Sequence, residues 1–298
     1  MAGRLKKSML IYGRRRKHTV TAFDMVNTCI LVLLALICLF PMYYVLVGSF
    51  NEGENYALGG VIFWPRIWSA ENYRWVLGYR LIWNGFLITL MRTVTGTVLH
   101  LLLTLTVAYG MSHRLLPCKA FFRQFNLFTM FFGGGIIPFY ILLTELGLTN
   151  TFWVYIIPGV YSVYNMIVFS TFIRSLSSEI HDAAVIDGSG EWRYLMSFVF
   201  PLCKPVLATV GLWTIVGHWN AYFDTMYYAD ANENLWTLQY VLKEMIESGN
   251  TLYLDGKELN SQTVGYAAVI VATIPVLFAY PFLQRFLVSG FMVGSVKE

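Results

Sequence analysis

Six long apolar runs constrain the fold of this chain more than any other feature of its sequence. They cover roughly residues 25–50, 82–112, 121–144, 151–173, 196–222 and 265–289. Each run can cross about 30 Å of hydrocarbon as a helix. Because only 13% of the residues are charged and 57% are hydrophobic, a soluble globule of this size would lack the polar groups to cover its surface. The sequence therefore predicts an all-α, polytopic integral membrane protein with six transmembrane helices.

The positions of Lys and Arg predict the orientation of these helices. Of the 21 basic residues, 15 fall in the N-terminal arm, in the tail, and in the loops after the second and fourth runs, which lie on the same side as the two termini. Five fall on the opposite side, and Arg92 lies within a run. Since basic residues concentrate on the cytoplasmic side, both termini are expected inside. Residues 1–24 are then a basic cytoplasmic arm, and residues 25–298 form the six-helix transmembrane domain.

Two segments between the runs are expected outside the cell. Residues 51–81 alternate turn residues with tryptophan and tyrosine, which is typical of a loop lying on lipid headgroups. The external loop 223–264 contains a short amphipathic helix, whose apolar face carries Leu238, Val241, Leu242 and Met245. The sequence leaves open whether that face docks on the bilayer or on a protein partner.

The cytoplasmic loop 177–195 is the most informative soluble segment, because it predicts two short helices joined by a turn. Ser177 or Ser178 can cap the first helix, Asp187-Gly188 supplies the turn, and Ser189 can cap the second. Two small side chains within it, Ala183 and Ala184, would let another protein approach the helix backbone closely. We call this predicted helix-turn-helix the knob. A projection of this kind suits the transmission of force from a soluble partner.

A catalytic or metal site is not predicted. The four cysteines, Cys29, Cys38, Cys118 and Cys203, match no zinc spacing. His181-Asp182 beside Glu179, and His218 near Asp224, lack a nucleophile or a ligand set at useful spacing.

The loop 177–195 resembles the cytoplasmic EAA loop of permease subunits of binding-protein-dependent ABC importers. That motif reads Glu-Ala-Ala, three residues, Gly, nine residues, Ile-x-Leu-Pro. Here the register is Asp182-Ala183-Ala184, then Gly188, then Phe198-Val199-Phe200-Pro201. The spacing is kept throughout, whereas the leading Glu is Asp and the Ile and Leu positions are aromatic.

The resemblance extends over about residues 40–298 and is to the carbohydrate-uptake branch, within it the subgroup for complex oligosaccharides. The supporting stretches are AYGMSH at 108–113, GGGIIPFYILLTELGLTNTFW at 133–153, Ile186-Asp187-Gly188, Lys204-Pro205, Trp219-Asn220, WTLQ at 236–239 and the ending PFLQRFLVSGFMVGSVK.

This resemblance implies a type I ABC importer permease fold in a bacterial cytoplasmic membrane. The chain would form half of a translocation path with a second permease subunit, driven by two ATPase subunits and supplied by an extracellular or periplasmic sugar-binding protein. ATP and Mg²⁺ would bind the ATPase, with no cofactor in this chain and no nucleic-acid partner; the chain also lacks a G-x-x-x-x-G-K-[ST] run. The residues implied to couple to the ATPase are Glu179, Asp182, Ala183, Ala184, Asp187 and Gly188.

Four polar or aromatic residues of the spans are candidates for the substrate path, each with a structural alternative. Arg92 either lines the path, or pairs with a backbone carbonyl or the second permease, or snorkels outward to the membrane surface. Asn165 either lines it or bonds between helices. Trp219 and Asn220 either contact the sugar or belong to an interfacial aromatic belt. A self-sufficient secondary transporter, an ABC permease for a solute other than a sugar, and a polytopic membrane enzyme remain the alternative functions.

Overall fold

The computed structural model describes residues 21–113, 115–247, 252–254 and 256–293. Most of the predicted basic arm, Arg114 and the last five residues lie outside the described residues. Three helices within the described part are long and apolar enough to cross a membrane. They are α1 (Ala22–Ser49), α4 (Arg80–Ser112) and α14 (Ser261–Val293). Helix α1 begins at a capping box, in which Thr21 Oγ1 accepts from the Asp24 N–H and the Asp24 carboxylate accepts from the Thr21 N–H.

Three further spans are bent pairs of shorter helices, which brings the candidate spans to as many as six. Helices α5 (Lys119–Phe131) and α6 (Ile136–Glu145) meet at 112°, at the run of three glycines where Gly135 has a φ of +88°. The 3₁₀ turns Phe152–Tyr155 and Ile157–Gly159 precede α7 (Val163–Arg174) at 48°. The glycines leave the backbone free to turn at the first of these bends.

The fifth predicted span has the most irregular backbone of the six. It consists of α9 (Glu191–Tyr194), a π-helical turn (Leu195–Val199), α10 (Phe200–Leu202) and α11 (Lys204–Asn220), with a bend of 78° before α11. Pro201 and Pro205 lie on either side of the break. Because proline has no N–H to donate and its ring clashes with the preceding turn, it breaks the regular hydrogen bonding of an α-helix.

The segments predicted to lie outside the cell fold back onto the long helices. They contain α2 (Gly53–Ala57), α3 (Glu71–Gly78), α12 (Phe223–Tyr228), the 3₁₀ turn Glu233–Leu235 and α13 (Leu238–Glu247), followed by an antiparallel hairpin of β1 (Leu252–Leu254) and β2 (Lys257–Leu259). The predicted amphipathic helix is α13. Its apolar residues Leu238, Val241, Leu242 and Met245 are buried against α3, α4 and α14. The apolar face is therefore covered by the chain itself, and the expectation that it docks on the bilayer or a partner is wrong.

Two main cores hold the fold together, one at each end of α4, and we call them the outer core and the inner core after the orientation predicted from the sequence. The outer core contains Val76, Ile82, Leu238, Val241 and Ala267. The inner core joins Leu105 and Ala108 of α4 to Phe169 of α7 and Val210 of α11, and it also takes in Ala184 of α8 (Ser178–Ile186). The inner core thereby anchors the predicted coupling loop to three spans.

Candidate functional site

Helix α8 forms the centre of the predicted coupling loop, and both of its ends are capped. Ser177 is the N-cap, and its hydroxyl accepts from the Glu179 N–H at 3.3 Å. At the other end the Gly188 N–H donates to Val185 O at 3.0 Å and the Ser189 N–H donates to Ala184 O at 2.9 Å. Gly188 has a φ of +74°, so these two bonds form a Schellman motif that glycine adopts at little cost. The predicted turn at Asp187-Gly188 is present.

The exposed face of α8 carries most of the residues predicted to couple to an ATPase. Glu179, Asp182, Ala183 and Asp187 are exposed, as is Gly188 after the helix. Ala184 is 3% exposed and packs in the inner core. The expectation that Ala183 and Ala184 together receive a partner is therefore corrected: Ala183 faces outward and Ala184 anchors the helix.

Three large apolar side chains of the same knob are exposed and were not singled out from the sequence. Val185 is 52% exposed, Ile186 85% and Trp192 64%. Together with the exposed residues of α8 they form what we call the knob surface, defined by Glu179, Asp182, Ala183, Val185, Ile186, Asp187, Gly188 and Trp192. A clue was available in the sequence, since an isoleucine directly before a turn and a tryptophan in the first turn of the next helix cannot both face one small core.

Arg92 lies within α4 and forms an ion pair inside the chain. Its Nη2 lies 2.5 Å from Oδ2 of Asp224, in α12, and its guanidinium carbon lies 4.6 Å from the ring centre of Tyr155. The side chain is 2% exposed. In this conformation Arg92 does not face an open path, and the contacts correspond to the structural alternative, with an intrachain carboxylate as the partner.

Asn165 takes part in a hydrogen-bonded chain between helices. Its amide lies 2.8 Å from Nε2 of His100, and Nδ1 of the same ring lies 2.9 Å from Gly159 O. The carbonyl can only accept, so Nδ1 carries the proton and Nε2 accepts from Asn165. This bonding ties α4 to α7 and to the 3₁₀ turn before it.

The same asparagine also lines an open groove of about 270 Å³. Its wall is formed by His100, Gly159, Asn165, Trp213, Thr214, Gly217 and His218. Sequence reasoning missed Trp213 and Thr214, although the α-helical spacing of residues 213, 214, 217 and 218 already places them on one face of α11. An aromatic ring beside hydroxyl, amide and imidazole groups can stack on and hydrogen-bond a polyhydroxylated solute.

The remaining two path candidates lie apart from this groove. Trp219 packs edge-on against Phe86, with ring centres 6.0 Å apart. The Asn220 side chain is exposed, and its amide donates to Val216 O one turn earlier in α11. Of the four path candidates, only Asn165 lies on the groove wall.

Comparison with known proteins places this architecture in a family. The profile described as binding-protein-dependent transport system inner membrane component matches residues 86–293. The chain belongs to this family. The match runs from α4 to α14 and includes the whole coupling loop, so the knob and the groove both lie in the part that the family shares. As a member of it, the protein is a multi-pass component of the cytoplasmic membrane.

Individual relatives cover nearly the full length of this permease. The polygalacturonan/rhamnogalacturonan transport system permease protein of Bacillus subtilis (strain 168) is 32% identical over 92% of this chain and 98% of the relative. The diacetylchitobiose uptake system permease protein of Streptomyces coelicolor is 26% identical over 92% and 89%. A solved chain of a bacterial ABC transporter involved in the import of the acidic polysaccharide alginate superposes with a TM-score of 0.82, at 29% identity over 91% of this chain and 99% of that one. The type I permease fold predicted from the sequence is confirmed.

Proposed function

We propose that this permease is one of two membrane-spanning subunits of an ATP-driven importer of oligosaccharides. The observation that carries the proposal is the knob surface in a member of a family of transport components. Its central helix is capped and is anchored by Ala184, and it leaves charged and large apolar residues exposed. Such a surface fits a soluble protein that binds and moves it. Relatives that take up pectic and chitin-derived sugars support the choice of substrate class.

In this proposal the knob faces the cytoplasm and docks in a cleft of the ATPase subunit, where ATP and Mg²⁺ bind. Asp182 pairs with a basic group of that subunit, and Ile186 fills an apolar pocket. ATP-driven closure of the two ATPase subunits then moves the knob and turns the two permeases from inward-facing to outward-facing, which requires docking energies that differ between the two states. An external sugar-binding protein delivers the substrate, and no chemical step takes place in this chain.

The substrate path in this proposal runs along the groove that contains Asn165, His100 and Trp213. Aromatic stacking with a few amide and hydroxyl contacts suits sugars, whose ring faces are apolar and whose edges carry hydroxyls. Arg92, through Asp224, and Trp219, through Phe86, have a structural role beside this path, and Asn220 is not assigned to it.

The test is a matched pair of substitutions in the complete transporter, reconstituted in liposomes with its second permease, its ATPase and its sugar-binding protein. Ile186→Asp puts a charge on the knob surface, whereas Ile246→Asp puts one on the exposed side of the external helix α13, where the native side chain is 53% exposed. Ile186→Asp is expected to abolish both the association of the ATPase and ATP-dependent uptake, and Ile246→Asp to leave the ATPase bound. Uptake by this chain alone without ATP would overturn the proposal.

A further inference from the structure

Three metal-ligating side chains meet at the base of the knob, although they are far apart in the sequence. His113 follows the end of α4, His181 lies in α8, and Glu191 begins α9. Each offers one ligand atom, and the three atoms all lie within 4.8 Å of one another. Nε2 of His113 and Nε2 of His181 each lie 3.6 Å from Oε1 of Glu191.

Two neighbouring groups orient these side chains. The Tyr109 hydroxyl donates to Oε2 of Glu191, which leaves Oε1 directed at the two rings. Oδ1 of Asp182 lies 3.8 Å from Nδ1 of His181, so when a metal ion takes Nε2 the proton of that ring is on Nδ1, on the side of this carboxylate. A carboxylate on the far nitrogen is the usual partner of a metal-bound histidine.

The ligand set and its spacing fit a small divalent transition metal. Imidazole nitrogen and carboxylate oxygen bind zinc at about 2.0–2.2 Å, so the ligand atoms of a tetrahedral site are about 3.4 Å apart. Two of the three separations are already 3.6 Å, and rotation of the histidine side chains closes the third. The side chains of His113, His181 and Glu191 are 33%, 34% and 57% exposed, so an ion can enter from solvent and keep water as its fourth ligand.

One existing contact has to be given up when a metal binds. The Leu115 N–H donates to Nδ1 of His113 at 3.3 Å, which places the proton of the neutral ring on Nε2. Coordination through Nε2 moves this proton to Nδ1 and releases the Leu115 N–H. The lost bond is long and the segment is solvent-accessible, so water can replace the acceptor.

We propose that His113, His181 and Glu191 bind a divalent transition-metal ion, of which Zn²⁺ is the best fit, and that the ion ties the coupling helix α8 to the end of α4. The three ligands come from two different cytoplasmic loops, so an occupied site holds the knob in one position against α4. Metal occupancy thereby regulates how freely the knob moves with a docked partner. The metal site itself does not depend on what the permease transports.

Metal binding is measured on the transporter complex, which is purified through an affinity tag without histidines and freed of bound metal with a chelator. Co²⁺ is the probe, because a tetrahedral Co²⁺ site has strong visible absorption bands and Zn²⁺ displaces the ion. The difference between the wild-type and His181→Ala complexes isolates this site from any on the other subunits. The expected result is one tetrahedral Co²⁺ per copy of this chain, lost in His181→Ala.

Graded substitutions separate this site from a general effect on folding. His113→Ala and Glu191→Gln should weaken binding more than about 100-fold, since even outer partners of metal ligands change affinity by about 10–100-fold. Tyr109→Phe, which keeps the ring and removes the donor to Glu191, should weaken it by about tenfold. Glu145→Gln removes an exposed carboxylate of α6, away from the knob surface, and should leave the metal affinity unchanged.

The proposal is overturned if the wild-type complex shows only the weak spectrum of octahedral Co²⁺, or if His113→Ala, Glu191→Gln and Tyr109→Phe bind as tightly as the wild type. Should His181→Ala fail to assemble, the Tyr109→Phe and Glu191→Gln complexes decide the question alone. Since binding is read without transport, the result is independent of the substrate and of the direction of uptake.

Discussion

Helix α13, in the loop predicted to be external, and helix α8, in the loop predicted to be cytoplasmic, are both short and both lie beside membrane spans. They differ in what covers their apolar residues. In α13 the apolar side chains Leu238, Val241 and Leu242 are at most 5% exposed. In and beside α8, Ile186 and Trp192 are 85% and 64% exposed. Helix α13 therefore buries these apolar residues within its own chain, whereas α8 and the start of the next helix leave theirs bare.

In the proposed function, this difference marks where the permease depends on another protein. Burial of a large apolar side chain stabilises a structure by about 1.5–3 kcal/mol. The exposed Ile186 and Trp192 do not contribute this energy to the fold, so it is available for binding a partner. Helix α13 gains the same energy within one chain. Substitutions in the core that covers α13 should therefore reduce the stability of the chain, and those on the knob surface should reduce its association with a partner.

The largest effect is expected from breaking the ion pair of the outer half. Asp224→Ala leaves the Arg92 guanidinium, which is 2% exposed, without its counter-charge. Removal of one partner of a buried pair costs about 3–5 kcal/mol, and the loss is measured as the free energy of unfolding of the purified chain in detergent. Replacing both partners, as in Arg92→Met with Asp224→Leu, should recover most of the loss. Equal loss in the single and double variants would show that the pair itself contributes nothing.

A slightly smaller loss is expected from the apolar face of the external helix. Leu238 is 2% exposed, so Leu238→Ala opens a cavity in the outer core at a cost of about 2–4 kcal/mol. The control on the same helix is Ile246→Ala, whose native side chain is 53% exposed, with an expected loss under about 1 kcal/mol. Thermal unfolding in detergent, read by intrinsic tryptophan fluorescence, distinguishes the two. Similar losses in both variants would contradict the packing of α13 on its own chain.

The local pattern of the sequence predicts much of this organisation. The apolar runs locate the three long helices to within a few residues, and the turn residues locate both ends of α8. Periodicity likewise predicts which residues of α13 share a face, because α-helical spacing brings Leu238, Val241 and Leu242 together. These features depend on residues that are close together in the chain, and the sequence shows that proximity directly.

The rest depends on contacts between residues that are distant in the chain. Arg92 and Asp224 are 132 positions apart, so the sequence predicts that the charge needs a partner and cannot name it. The same holds for the covering of α13 by α4 and α14, and for the meeting of His113 with His181 and Glu191. Asn165 is an intermediate case: hydrogen bonding between helices is predicted, and its partner His100 is found only in the structure.

At the inner end, a substitution should weaken the association with the ATPase rather than the stability of the permease. Trp192→Ala removes a ring that is 64% exposed on the knob surface, and Trp64→Ala removes one that is 66% exposed in the outer loop. Because tryptophans at the centre of an interface often contribute about 2 kcal/mol or more, Trp192→Ala should weaken ATPase binding by at least about tenfold. Trp64→Ala should leave that affinity unchanged, as measured by titrating the labelled ATPase onto the permease pair in nanodiscs. Unchanged binding in Trp192→Ala would remove this residue from the docking surface.

The smallest and most closely matched comparison uses two glycines in the same backbone motif. Gly188 ends α8 with φ +74° and Gly147 ends α6 with φ +65°. Each donates to the carbonyl three residues back, and the following N–H donates to the carbonyl five residues back. A Cβ at either position would meet open space, so alanine costs only the left-handed backbone strain, about 1–2 kcal/mol. Both variants should therefore lose the same small stability in detergent.

Only Gly188→Ala should also uncouple the transporter, because only that glycine lies on the knob surface, where a shifted turn moves Asp182 and Ile186 relative to the ATPase. The measurement is sugar-stimulated ATP hydrolysis by the reconstituted complex. The expected result is a loss of stimulation in Gly188→Ala with normal stimulation in Gly147→Ala. If both variants keep normal stimulation, the geometry of this turn does not matter for coupling, and the apolar residues of the knob surface suffice.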